Sequence, residues 1–144
     1  MMKRATKPSN SLDRGSRYHR RFALLAAMEA QGVLAIFEKE RPNDHRPREA
    51  IRAIKAWGEG ERELTMAEVR RLSLAAHAAA RDARSDAARH AARAAGQAVA
   101  TWHVPTHAMG APIYARKAII ASMRAPKGSR ARAPRATPSR RGRA

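Results

Sequence analysis

Apolar residues recur at three- and four-residue steps along most of the chain, which is the spacing of one face of an α-helix. The steps first cover residues 16–40, and Pro42 must end that helix because proline cannot continue it. Its apolar positions are Tyr18, Phe22, Leu25, Val33, Ile36 and Phe37. No segment alternates apolar and polar residues over several positions, so the pattern predicts no strand.

Capping signals predict where the next helices begin. Asn43 or Asp44 can cap a second helix, with Pro47 in its first turn. Thr65 and Glu68 form the capping box that opens a third helix. Each of these helices carries one apolar stripe, so both are expected to pack against other helices.

Two more helices complete the pattern. Ser85 opens the fourth, and a fifth is predicted from about Thr106 to Arg124, with Pro112 able to move its start to Ala111. The apolar face of the fourth helix comprises Ala88, Ala92, Ala95, Val99 and Trp102, and one side of the fifth carries Ile113, Ile120 and Met123. The sequence therefore predicts an all-α fold, a compact bundle of about five helices with short connections.

The chain is strongly basic, and its ends are more basic than its middle. It has 144 residues and a formal net charge of +18. Residues 125–144 contain seven bases, no acid, several prolines and no large apolar side chain, so they cannot offset the entropy of ordering. We predict a disordered basic segment over residues 1–15, a helical domain over 16–124 and a disordered Arg/Pro-rich tail over 125–144.

Several classes of protein are excluded by what the chain lacks. There is no cysteine, which excludes disulfides, thiolate catalysis and thiolate metal sites. No stretch is apolar and long enough to cross a bilayer, and the first sixteen residues have no apolar segment of a secretory signal. We expect a cytoplasmic protein with no membrane partner.

His103 and His107 are four residues apart, a spacing that can place two metal ligands on one face of a helix. Pro105 lies between them and predicts a helix break there, because proline disfavours the α conformation at Val104. Zinc would also need a third ligand, and no acidic residue follows Asp86. The sequence therefore predicts packed or hydrogen-bonded histidines at a helix junction, with no metal and no other cofactor.

The remaining candidates for catalysis are isolated. His77 and His90 lie in alanine-rich helices, and Ser73, one turn before His77, is the nearest possible nucleophile. No glycine-rich phosphate loop or nucleophile elbow is present in the sequence. We expect no catalytic residue and no enzymatic activity.

Three strings carry a resemblance to a known family: "RPNDHRPREAIRAIKAW", "AAHAAARDA" and "ARAAGQAVATWHVPTHAMGAPIYARKA". Over roughly residues 18–121 the chain resembles the immunity proteins of bacterial toxin–immunity systems, and more narrowly the immunity-protein-5-like group. The resemblance omits both basic ends. It implies a small helical cytoplasmic protein that binds and neutralises a cognate toxin by direct contact, without catalysis.

The polar residues of these strings form the cluster that we expect to have a structural or partner-binding role. They are Arg46, Arg48, Glu49, His77, Arg81, His103 and His107. Within the cluster, we expect Arg48 or Arg81 to pair with Glu49 and to tie the second helix to the third. The basic faces that an acidic toxin could contact are those of Arg20, Arg21, Arg70 and Arg71.

The alternative function is that of a basic, nucleoid-type nucleic-acid-binding protein. Arginine-rich segments bind phosphate backbones by counterion release and need no folded site. The candidate contacts are Lys127, Arg130, Arg132, Arg135, Arg140, Arg141 and Arg143. The tail has no aromatic residue to stack on bases, and a compositional bias of the whole chain explains its arginines equally well.

Overall fold

The computed structural model describes residues 13–124, and every regular element in that range is helical. The elements are α1 (Arg17–Glu40), α2 (Arg46–Gly58), α3 (Met66–Asp82), α4 (Asp86–Ala100) and α5 (Gly110–Arg124), with a short 3-10 helix, Pro105–Met109, between the last two. The predicted all-α fold of about five helices is confirmed. The predicted disordered tail over 125–144, and all but three residues of the predicted segment over 1–15, lie outside the described residues.

The caps of α3 and α4 form as the sequence predicts, but the prediction that Asn43 or Asp44 caps α2 is wrong. The N-cap position is His45, and Asp44, one residue earlier, accepts the Arg46 N–H at 3.3 Å. Thr65 Oγ1 accepts a hydrogen bond from the Glu68 backbone N–H at 3.2 Å, and the Glu68 carboxylate accepts one from the Thr65 N–H at 2.8 Å. Ser85 Oγ accepts the Ala88 N–H at 3.1 Å and so caps α4. These bonds satisfy donors that the first turn of a helix leaves without an intrahelical partner.

The central helix of the bundle is α4, which contacts each of the other four α-helices. Nine of its fifteen residues are buried; eight of them are alanine or glycine, and the ninth is Val99. Such small side chains allow neighbouring helices to approach closely on several sides, and dispersion contacts between closely spaced atoms then add up. The predicted apolar face of this helix, from Ala88 to Trp102, is buried.

The prediction of which face of α1 is buried is wrong for the first half of the helix. Val33 and Phe37 are buried, but Tyr18, Phe22 and Leu25 are exposed. The side that packs inward in this half carries His19, Ala23, Ala26, Ala27 and Ala30. The small side chains let α1 lie close to α4, and the larger residues fall on the flank.

In α5, as in α1, the large apolar residues are exposed and the alanines are buried. The side that carries Ile113, Ile120 and Met123 is exposed, and the buried positions are Ala111, Ala115 and Ala118. Pro112 lies in the first turn, where its missing N–H costs no helical hydrogen bond, so the α-helix begins at Gly110. Within residues 13–124, no helix is long and apolar enough to span a membrane.

Candidate functional site

The seven polar residues that the sequence singled out do not form one cluster, and none of them is fully buried. Arg46 and Arg48 make ion pairs where α2 meets its neighbours, whereas His77 and His107 contact side chains of α4. The exposed members of the set are Glu49, Arg81 and His103. The set therefore divides into two arginines that join helices, two histidines that lie along α4 and three exposed residues.

Arg46 joins the start of α2 to the end of α3. Its guanidinium donates two hydrogen bonds to Asp44, at 2.9 and 2.7 Å, and a third to Asp82 Oδ2 at 2.8 Å. Arg41 donates to Asp44 as well, at 3.2 Å. The hydrogen bonds from Arg46 lower the pKa of the Asp44 carboxyl to about 2, although its partial burial opposes the shift.

The predicted pairing of Glu49 is wrong. Arg48 binds Glu38 of α1 through two hydrogen bonds, one of them 2.7 Å between Nε and Oε2, and this contact lowers the pKa of Glu38. Successive residues of a helix point in different directions, so Arg48 faces α1 while Glu49 is exposed. The tie between α2 and α3 is made by Arg46 and Asp82 instead.

One of the arginines expected to offer a basic face to a partner has an internal role. Arg20 donates to the backbone carbonyl of Trp57 and, at 3.3 Å, to that of Gly15. Its guanidinium also lies 4.6 Å from the centre of the Trp57 ring. Arg20 thus holds the end of α2 against α1, while Arg21 beside it is exposed.

The chain breaks its helix between His103 and His107, as Pro105 predicts. The helix α4 ends at Ala100, and the 3-10 helix begins at Pro105. His103 is exposed, whereas His107 Nδ1 lies 3.1 Å from Gln97 Oε1 and donates a hydrogen bond to it, because an amide oxygen can only accept. In the part of the chain that the structure describes, no group of three or more histidine or carboxylate side chains could hold a metal ion.

A strip of half-buried polar side chains runs along α4 between α3 and α5. Both α3 and α5 pack on α4, but no Cα atom of one lies within 8 Å of a Cα atom of the other. We call this strip and its walls the α4 furrow. Its floor is Arg89, His90, Arg93 and Gln97, and its walls are His77 of α3, His107 of the 3-10 helix, and Tyr114 and Lys117 of α5.

His77 forms one wall by lying across the backbone of α4. A β-carbon at Gly96 would come within 2.7 Å of His77 Nε2, so only glycine leaves room for the ring in this position. Arg93 Nη1 is 3.5 Å from His77 Nδ1, and a guanidinium can only donate, so Nδ1 is the acceptor and Nε2 carries the proton. Burial, and then the charges of Arg93 and Arg81, lower the pKa of His77 and favour its neutral form.

His90 lies on the floor of the furrow, beside the wall that α5 forms. Its ring is stacked on Tyr114 with centroids 6.0 Å apart, and its Nδ1 is buried without a hydrogen-bond partner among the described residues. Burial and the nearby Lys117 ammonium lower the pKa of His90. Beside it lies an open cavity of about 580 Å³ between the first turn of α4 and the end of α5, with Lys117 and Arg124 in its lining.

The charge of the furrow is positive and largely uncompensated. All twelve acidic residues of the chain lie at or before Asp86, which pairs with Arg89 at 2.8 Å. Within residues 13–124 no carboxylate lies within ion-pair distance of Arg93, whose side chain contacts His77. The furrow therefore presents the guanidinium donors of Arg93 to anything that enters it.

Several residues of this site are not among those predicted from the sequence. Gly96, Gln97, His90 and Arg93 lie in or beside the quoted motifs but were not singled out as a set. A usable signal was the glycine, since a glycine inside an alanine-rich helix indicates a close approach of another group. The fully buried His19 has a structural role instead: its Nε2 lies 2.6 Å from the Thr101 carbonyl oxygen, and its Nδ1 accepts the Gly15 N–H at 3.3 Å.

A comparison with protein families places these observations in context. The sequence model of the family described as Imm-5 like putative immunity protein matches residues 15–136. The match begins just before α1 and ends beyond α5, so it includes four bases of the tail, from Lys127 to Arg135, which the quoted motifs omit. No curated protein and no solved structure matches the chain. Because the match spans most of the sequence, the chain belongs to the Imm-5 like putative immunity protein family.

Proposed function

We propose that this protein is a non-catalytic immunity protein that binds a bacterial toxin through the α4 furrow and neutralises it by steric blocking. Membership of the family supports the general class. The furrow supports the location, because it brings His77 of the second resemblance string together with Arg93 and Gly96 of the third. We further propose that the complex forms in the cytoplasm, as the resemblance implies.

The proposed position of the toxin-binding surface rests on the burial and the missing ion pair of Arg93. This half-buried cation is braced by His77 and has no carboxylate partner among the described residues. Arginines placed in this way are frequent among the residues that dominate protein–protein binding energies. A partner that supplies a carboxylate to Arg93 would gain a charge-assisted hydrogen bond without having to break an existing ion pair.

The contacts around His77 support binding over catalysis. Ser73 is the hydroxyl nearest to His77 in the sequence, and it donates its hydrogen bond to the Gly96 carbonyl at 3.2 Å. A nucleophilic serine would need the imidazole as its base. His77 instead accepts from Arg93, so its contacts suit a fixed surface for a partner.

The experiment uses the product of a toxin gene beside the gene of this protein. Its affinity is measured by calorimetry for the unmodified protein, for Arg93→Glu and for the control Arg52→Glu, which reverses an exposed charge on α2. We expect Arg93→Glu to weaken binding by about a hundredfold, because a like charge then faces the partner's carboxylate, and the control to bind normally. Equal affinities for the two variants would place the toxin elsewhere, and an absence of binding by the unmodified protein would refute the proposed function.

The alternative is nucleic-acid binding through the tail. Its candidate residues, from Lys127 to Arg143, lie outside the described part of the chain, and no contact within that part favours it. The family match ends at residue 136 and so includes only some of those bases. This alternative is tested by truncation below.

A further inference from the structure

The large hydrophobic side chains that stay exposed are concentrated on neighbouring elements. Among the described residues there are ten of them, and nine lie on α1, the 3-10 helix and α5, which contact one another. The tenth is Leu74 of α3. The nine are Tyr18, Phe22, Leu25, Met28, Met109, Ile113, Ile119, Ile120 and Met123. Scattered apolar residues are normal on a protein surface, but their concentration on neighbouring elements makes this side of the bundle the first place to look for a docking site.

The part of this surface with the most definite shape lies on α5. An open depression of about 320 Å³ is lined by Met109, Pro112, Ile113, Arg116, Lys117 and Ile120, and we call it the α5 socket. Four of these six side chains are apolar and two are cations. The socket faces away from the buried Ala111, Ala115 and Ala118, so no other part of the described chain covers it.

The charges around the socket select the chemistry of its occupant. No acidic residue lies on α5, and within residues 13–124 no carboxylate lies within ion-pair distance of the exposed Arg116 and Lys117, although Asp86 lines the same cavity as Lys117. A second copy of this chain, with its net charge of +18, would bring cations against cations. A partner with carboxylates beside an apolar side chain would satisfy both the cations and the apolar lining.

We propose that the α5 socket docks an acidic amphipathic helix of a protein partner. One aliphatic side chain of that helix fills the socket, and carboxylates on either side of it pair with Arg116 and Lys117. Lys117 and Ile120 also line the cavity beside His90, so the socket is continuous with the α4 furrow. The inference rests on the proposed function only in taking this helix to belong to the toxin.

The probe is a synthetic amphipathic helical peptide with leucines on one face and glutamates flanking them. Its matched control is the same peptide with lysine at every glutamate position. Binding to the full-length protein is measured by fluorescence anisotropy at physiological salt. We expect the acidic peptide to bind and the basic peptide not to bind, and equal binding of the two would overturn the proposal.

Three variants test whether the socket is the place of binding. We expect Arg116→Glu, and the double variant Ile113→Gln with Ile120→Gln, each to weaken binding of the acidic peptide by about tenfold or more. The matched control is Leu74→Gln, which removes the exposed hydrophobic residue that lies outside this surface and should leave binding unchanged. All of these positions are exposed, so the variants should retain the circular dichroism spectrum and melting temperature. Unchanged binding by the socket variants would mean that the peptide adheres to other bases, and the proposal would fail.

Other occupants would give different results. Co-sedimentation with vesicles of phosphatidylserine and phosphatidylcholine that is lost in the double variant, with no peptide binding, would assign the surface to a membrane and overturn the proposal. A dimer seen by sedimentation equilibrium and lost in that variant would assign it to a second copy, with the same consequence.

Failure here can be told apart from failure of the proposed function. If the toxin binds the socket variants normally, this inference is wrong while the function stands. If no toxin binds but the acidic peptide binds in the socket, the docking surface stands while the toxin assignment fails.

Discussion

His77 on α3 lies against Gly96 on α4, where a β-carbon would come within 2.7 Å of His77 Nε2 and within 3.0 Å of the ring carbon Cδ2. Glycine in the middle of a helix costs about 1 kcal/mol relative to alanine. Here the missing side chain leaves room for the His77 imidazole to lie on the helix backbone next to Arg93. One small residue thus connects the packing of two helices with the shape of the furrow.

We predict that Gly96→Ala lowers the free energy of unfolding by about 1 kcal/mol, because the His77 ring must move out of a close-packed position. The control is Gly32→Ala, which lies within α1 and would place a β-carbon in open space. That substitution should raise stability by up to about 1 kcal/mol through helix propensity alone. Urea unfolding of the two variants measures the difference, and equal gains would show that His77 does not constrain position 96.

The lowered pKa of His77 predicts a loss of stability in mild acid. Burial, Arg93 and Arg81 hold its pKa in the folded protein below the ordinary value of 6.5, so the unfolded chain takes up the proton first as the pH falls. The contribution of neutral His77 to the stability of the folded protein is fully present above about pH 6.5. It is lost as the pH falls towards the pKa of His77 in the folded state. We expect His77→Gln to flatten the fall in melting temperature between about pH 7 and pH 5.

His103→Gln is the matched control for that measurement. His103 is an exposed histidine of the same chain, and it lies beyond the end of α4. This variant makes the same change of side chain away from Gly96 and Arg93, so it measures any general effect of replacing a histidine with glutamine. Identical slopes for His77→Gln and the unmodified protein would contradict the assigned environment of His77.

The positions of the helices could be predicted because local signals set them. Thr65 and Ser85 cap helices through bonds that any neighbouring sequence would permit, and Pro105 excludes a continuous helix whatever surrounds it. The buried face of α1 could not be predicted in the same way. A search for large apolar residues selects Tyr18 and Phe22, but the helices of this bundle approach one another through alanine.

The site was predicted only in part, because its members meet through tertiary packing. His77 and His107 stand out as histidines in distinctive motifs, yet neither motif shows that both lie along α4. The pairing of Arg48 with Glu38, ten residues earlier, depends on the angle at which α2 returns along α1. Spacing along one helix carries no information on that angle.

Asp44 gives a second stability prediction, at lower pH. Its pKa is lowered from 3.8 to about 2, mainly by hydrogen bonds from Arg46, so its contribution is fully present above about pH 4 and is lost as the pH falls towards 2. A shift of this size corresponds to about 2 kcal/mol at neutral pH. We expect Asp44→Asn to lose about that amount, because Arg46 and Arg41 then lose their shared anion.

The control for Asp44→Asn is Glu49→Gln, which removes the same charge from the exposed residue that the sequence had placed in an ion pair. Chemical unfolding at pH 7 should show a small change for this variant, within about 0.5 kcal/mol. A loss at Glu49 as large as that at Asp44 would show that the exposed carboxylate, and not the Arg46 network, holds α2 in place.

The tail is tested by two truncations, because the family match ends between its two groups of bases. A chain ending at residue 136 lacks Arg140, Arg141 and Arg143, and one ending at Arg124 lacks all seven bases of the tail. Each lost phosphate contact should lower the slope of log affinity for duplex DNA against log salt by about 0.9, so the slopes should fall by up to about three and about six.

Toxin binding should be the same in the full chain and both truncated chains, because every residue of the α4 furrow lies before Arg124. Calorimetry with the toxin and salt-dependent retention on DNA would then separate the two activities within one set of proteins. If removing the tail abolishes toxin binding while the melting temperature is unchanged, residues 125–144 carry the function and the furrow does not. If toxin binding persists and DNA retention disappears, the tail contributes only electrostatic adhesion, which supports the immunity function over the nucleic-acid alternative.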